Sequence, residues 1–180
     1  MNSTVRREKL AEQDFSLVWG AFAALVIWGA LSDLATYRIP NAVPAGLVLL
    51  FLTSSLIAPQ AGALWLHAAI GGLILLGTFA LFLGGVFGAG DAKMLSAVAL
   101  WAGPAGLLHL LGAVALSGIL ILAILLPVRV AISTLGNRRG LSEASLPKLF
   151  RKHSGVPYGV AIAVGALVAT PFLQSWLWSY

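Results

Sequence analysis

The chain has 180 residues, 59% of them hydrophobic and only 9% charged, and it carries a net charge of +5. Soluble domains hold about 25% charged residues, so a mean hydropathy of +0.95 defines an integral membrane protein with no room for a separate soluble domain. The absence of cysteine excludes disulfides, thiolate metal sites and cysteine nucleophiles.

Residues 1–14 form a polar tail of mixed charge, expected outside the bilayer. A basic start before an apolar run also fits a signal peptide, but cleavage near Ala30-Leu31-Ser32 would leave Asp33 at a new terminus. The run over 15–34 is therefore read as a first span, ending in Ser32-Asp33-Leu34. Tyr37-Arg38-Ile39-Pro40-Asn41 reads as a turn, because Pro40 disfavours helix at Ile39 and Asn41 is a residue that caps helices. A short second span covers 42–58, and a glycine-rich third covers 62–86.

A fourth span over 91–102 stops at Gly103-Pro104, and a fifth runs over 105–126. Residues 127–156 form a basic cytoplasmic loop with Arg129, Arg138, Arg139, Lys148, Arg151 and Lys152. Within it Ser142 is expected to cap a short helix whose Leu146, Leu149 and Phe150 rest on anionic headgroups. The last span covers 156–177. The expected fold is all-α, a polytopic membrane protein with about six transmembrane helices in a single domain over 1–180.

Six spans place eight Lys and Arg residues on one side and three on the other. The excess of positive charge on cytoplasmic loops then puts both termini outside and both Asp-bearing turns toward the cytoplasm. The same rule accounts for the net charge without nucleic acid. On this topology Trp19, Trp65, Trp101, Trp176 and Trp178 share the outer interface as an aromatic belt. His67 and His109 read as interfacial side chains, while His153 and Glu143 belong to the solvated loop. With the histidines scattered, neither a metal site nor a cofactor is expected.

Chemistry concentrates in Gly88-Ala89-Gly90-Asp91-Ala92-Lys93. A charged side chain at membrane depth costs roughly 2.5–3.5 kcal/mol, so it carries a task or has a partner. The bland reading is a polar loop with a helix beginning at Asp91, whose carboxylate suits a helix N-terminus. Against it stands a second isolated aspartate, Asp33, at the same membrane face. The helix from Asp91 to Ala102 has twelve residues, roughly 18 Å at about 1.5 Å each, against a hydrocarbon core of about 30 Å. Asp91 is therefore expected below the membrane surface, in a wet pocket open to the cytoplasm. Two carboxylates brought together share a proton, so one can activate water while the other polarises a carbonyl. That suffices for peptide hydrolysis without metal, cysteine or serine.

Asp33-Leu34-Ala35-Thr36-Tyr37-Arg38-Ile39-Pro40-Asn41 and Gly88-Ala89-Gly90-Asp91-Ala92-Lys93 resemble the two active-site motifs of type IV prepilin peptidases, membrane aspartic proteases of the GxGD type. Pro157-Tyr158-Gly159 is similar to that family's C-terminal Pro-Tyr-Gly segment. The resemblance implies Asp33 and Asp91 as the catalytic pair and Gly88 and Gly90 as shapers of the turn. Lys93, Arg38 and Asn41 become supports or substrate contacts. It also implies a bacterial inner-membrane enzyme that removes the basic leader of prepilins at the cytoplasmic face. Larger members carry an additional Cys-x-x-Cys region associated with N-methylation; this cysteine-free chain resembles the short branch of the CpaA/TadV type, which serves Flp or tight-adherence pili. Two other readings use the same aspartates. One is a proton-coupled transporter component; the other is a membrane scaffold in which Asp33 pairs with Arg38 or Lys93.

Overall fold

A computed structural model describes residues 3–57, 64–138 and 155–173, and those residues form five helices with no strand among them. They are α1 (Ser3–Thr36), α2 (Ala42–Ile57), α3 (Leu64–Leu83), α4 (Ala89–Arg138) and α5 (Tyr158–Leu173). Three stretches, Ser16–Thr36, Leu64–Leu83 and Ala89–Gly136, are long and apolar enough to cross a membrane, and Ala42–Leu56 and Tyr158–Pro171 are shorter apolar helices.

The 50-residue α4 is two rods joined at Gly103, whose φ of 54° and ψ of −165° are not helical. That backbone region is essentially restricted to glycine, and Pro104 opens the second rod, where a missing N–H costs nothing. The break expected at Gly103-Pro104 is therefore present, and it divides the five described helices into six rods. Packing fixes its direction. Along α5, Ala161 lies beside Gly118 and Gly165 beside Val114. The second arm of α4 thus runs antiparallel to α5 and returns to the level from which the first arm departed.

His67 explains why the chain turns where it does. It is buried, 3% exposed, stacks on Phe51 at 5.6 Å, and its Nδ1 lies 2.8 Å from the Leu100 carbonyl. The imidazole rests against the Cα of Gly103, so any side chain there would overlap the ring. His67 is consequently an interior residue of the turn and not an interfacial one. Its ring bonds a carbonyl near the end of the first arm, where helical partners run out.

The core runs around the first arm of α4. Trp101 is fully buried and packs edge-on to Trp19 at 5.3 Å and Phe51 at 5.6 Å, with Phe22 at 5.2 Å. Its Nε1 donates to the Leu47 carbonyl at 3.0 Å. Trp19 and Trp101 do share one level, as expected, but they face each other and not the lipid. For Trp101, an indole buried with its N–H satisfied contributes more apolar contact inside than at an interface. Trp65 remains exposed, and Trp176 and Trp178 lie outside the described residues.

Two boundaries also differ from expectation. The third helix ends at Leu83 and not near Val86, because Gly85 adopts φ 71° and closes it. Gly85 N–H donates to the Phe82 carbonyl and Val86 N–H to that of Leu81, the paired bonds of a Schellman cap. The second arm of α4 continues through Pro127 to Arg138, so the basic loop starts about three turns later than at residue 127. The short helix expected from Ser142, with Glu143 and His153, lies outside the described residues.

Candidate active site

Asp33 sits in the last turn of α1 and is 5% exposed. Just beyond it the helix unwinds. Tyr37 N–H still donates to the Asp33 carbonyl at 2.8 Å, but Tyr37 itself takes φ 56°, an uncommon left-handed conformation for a non-glycine residue. Ser32 Oγ and Thr36 Oγ1 both donate to the Arg38 carbonyl, at 2.8 and 3.3 Å, and pin the exit. Pro40 then starts α2, its carbonyl accepting from Val43 N–H at 3.0 Å. The turn expected over 37–41 is present.

Asp91 lies in the first turn of α4 and is half-buried. Its carboxylate accepts the backbone N–H of Gly88, while the Gly88 carbonyl takes Ala92 N–H at 3.0 Å. The arrangement works like a capping box, with Gly88 as the cap and Asp91 three residues on. The carboxylate folds over the Cα of Gly88, where a methyl group would meet Oδ2 and push the carboxylate aside. Asp91 thus stands at a helix start, as the helix-start reading has it, with the helix itself beginning two residues earlier at Ala89.

The second carboxylate is held in the same way from another helix. Gly159 N–H, in the first turn of α5, donates to Asp33 Oδ2 at 2.8 Å. The two aspartates are near enough for the charge of Asp33 to act on Asp91. Each one therefore takes a main-chain donor from a helix N-terminus, where unpaired N–H groups and the helix dipole favour an anion. One such bond uses only one of about four acceptor sites on a carboxylate. The others remain for water, substrate or a shared proton.

Ile39 fills the space between the motifs. A methyl group built on Gly90 would come within 3.1 Å of Ile39 Cβ, and one on Gly159 within 2.9 Å of Ile39 Cδ1. Gly90 is therefore a close-approach position. Lys93 Nζ donates to Asn41 Oδ1 at 3.0 Å and ties the first turn of α4 to the start of α2. The Asn41 side chain, expected to cap α2, serves Lys93. Arg38 is exposed and joins the turn through its carbonyl. Among the described residues no ion pair neutralises either aspartate, so the pairing of Asp33 with Arg38 or Lys93 required by a scaffold is not present.

Gly159 and Ile39 were missed as site residues. Both lie within recognisable motifs, Pro157-Tyr158-Gly159 and Arg38-Ile39-Pro40-Asn41, but neither side chain carries any chemistry by which to select it. The Tyr158 ring lies 5.6 Å from that of Phe87 and joins the start of α5 to the loop before Gly88.

Fold and site together define a helical membrane protein with paired carboxylates at its helix ends. The type IV leader peptidase family matches residues 20–126, more than half of the chain and including both aspartates, and the protein belongs to that family. The family is one of proteases, so the chain is a membrane-bound hydrolase by class. Neither the curated proteins nor the solved structures provide a match.

Proposed function

We propose that the protein is an aspartic endopeptidase that removes the basic leader from prepilins of the Flp or type IV kind at the cytoplasmic face of the inner membrane, with Asp33 and Asp91 as its catalytic pair. The observation that carries this reading is the convergence of the two motifs: Ile39 packs against both Gly90, beside Asp91, and Gly159, whose N–H meets Asp33, and each carboxylate accepts a backbone N–H. In the reaction one carboxylate takes a proton from water, whose oxygen attacks the scissile carbonyl carbon. The partner, protonated, gives its proton to the carbonyl oxygen. Collapse of the tetrahedral adduct then breaks the C–N bond, and the amine leaves with a proton returned from the pair.

The depth of the site suits such a substrate. The first arm of α4, residues 89–102, is about 21 Å long at about 1.5 Å per residue, which is less than the roughly 30 Å hydrocarbon core. A prepilin places its cleavage point between a basic leader and an apolar helix, at the depth such a short helix reaches. The test is cleavage of a prepilin peptide by purified protein in detergent. Processing by the wild type and none by Asp33→Asn or Asp91→Asn is expected. Processing by either variant would remove that aspartate from the mechanism.

A further inference from the structure

Arg129 stands out among the basic residues because it is not in a solvated loop. It lies on the second arm of α4, 4% exposed, and its Nη2 donates to the Gly155 carbonyl at 2.8 Å. A guanidinium enclosed in an apolar helix is costly to place and normally has a task. Gly155 precedes α5, four residues before Gly159. The intervening chain is fixed at each step. Pro157 is fully buried, Tyr158 N–H donates to the Val156 carbonyl at 2.9 Å, and the Tyr158 ring packs on Phe87. A displacement at Gly155 is therefore passed to Gly159, whose N–H has to meet Asp33.

We propose that Arg129 is a positioning residue for the carboxylate pair. By holding the Gly155 carbonyl it sets where α5 begins, and so where the donor to Asp33 stands. This role rests on the endopeptidase reading, since it concerns the same site. Arg129 bonds neither aspartate, and its link to the site runs through the Gly155 carbonyl at the start of α5. It lies outside the stretch matched by the family, which ends at residue 126.

The experiment compares wild type, Arg129→Met and Arg129→Lys as full chains in detergent on one prepilin peptide, with Asp33→Asn as the control. Methionine keeps the apolar stem and removes the donor; lysine keeps a cationic donor on a shorter reach. A misplacement of about 1 Å costs up to roughly 100-fold in rate. Arg129→Met should therefore lose about 10- to 100-fold in kcat with KM changed less than about threefold, and Arg129→Lys should lie between it and the wild type. A raised KM with unchanged kcat would make Arg129 a substrate contact and overturn the proposal. So would a lysine variant no better than methionine, or wild-type kcat in both. If the methionine variant does not accumulate in membranes, the lysine variant decides alone: a lowered kcat at unchanged KM supports positioning, and wild-type kcat overturns it. An inactive Asp33→Asn beside an active wild type secures the endopeptidase reading independently. Cleavage by Asp33→Asn would sink that reading and the purpose assigned to Arg129 with it.

Discussion

Gly159 reaches Asp33 across 126 residues of sequence, its N–H 2.8 Å from Oδ2. The last helix is thereby tied to the first at the very residue on which the proposed chemistry depends. Contact this close leaves no room on Gly159 for a side chain. A methyl group there would stand 2.9 Å from both Cβ and Oδ2 of Asp33.

Gly159→Ala should therefore damage activity more than folding. Overpacking of this kind costs about 1–3 kcal/mol, which a helix end can partly relieve by shifting outward. The same shift removes the donor from Asp33, and prepilin cleavage should drop about 100-fold. Parallel measurement of membrane abundance and processing checks this. A fully active alanine variant would show that the Gly159 bond is dispensable.

The aspartates should behave as one unit. Asp33→Asn and Asp91→Asn keep shape while losing proton exchange, and each should lower cleavage by at least about 100-fold. The double variant should be scarcely worse than either single, because removing one member already disables the pair. Cleavage by the wild type should survive EDTA, since the proposed water is activated by carboxylates. Losses that multiply in the double variant, or recovery on adding zinc, would point to different chemistry.

Lys93→Ala should be mild by comparison. Its bond to Asn41 is exposed, and a hydrogen bond of that kind is worth about 1 kcal/mol net. A loss in kcat/KM of no more than about tenfold is expected, with Asn41→Ala giving the same loss and the two together no further loss. Abolished cleavage in Lys93→Ala alone would give Lys93 a part in the chemistry itself.

Gly103→Ala tests the helical reversal. The backbone conformation alone costs about 1–3 kcal/mol for a non-glycine residue, and the His67 ring occupies the space a methyl group would need. The melting temperature in detergent should fall clearly, whereas Pro104→Ala should leave it nearly unchanged. Equal stability of Gly103→Ala and wild type would mean the two arms of α4 join differently.

These elements also show what was legible beforehand. Glycine, proline and isolated charge are strong local signals, so the break at Gly103, the turn at Pro40 and the two aspartates could be read directly. Burial was not legible in the same way. His67, Trp19 and Trp101 look like interfacial residues because a polar atom on an apolar body suits an interface and a sealed interior equally well. Which setting applies depends on a partner far along the chain, such as the Leu47 carbonyl for Trp101. Arg129 misled for a related reason. Pro127 suggested the end of a helix, yet α4 runs through it, and a basic residue after a proline reads as solvated. Gly159 was harder still, because the group it contributes to the site is its backbone N–H.

Orientation in the membrane provides the last check. With Arg129 enclosed on α4, seven basic residues remain for one side against three for the other, so residue 140 should still be cytoplasmic and residue 180 external. The cysteine-free chain makes this simple to read. Gly140→Cys and Tyr180→Cys, taken singly, should react with an impermeant maleimide from opposite faces of the membrane. Labelling of both from one face would require an odd number of crossings between them to be abandoned.

Both carboxylates are anchored by peptide amides, and an amide neither gains nor loses a proton across the working range of an enzyme. A site framed by histidine or lysine would change shape as its frame titrated. Here the groups that directly anchor the two carboxylates do not titrate, so those mounts stay constant while the aspartates exchange protons. Random mutation would meet the same asymmetry. No single side-chain deletion can erase a peptide N–H, so beyond the aspartates themselves damage to this site should map chiefly to added bulk at glycines, and a tolerance chart of the protein would show intolerance at its smallest side chains as sharp as at its acids.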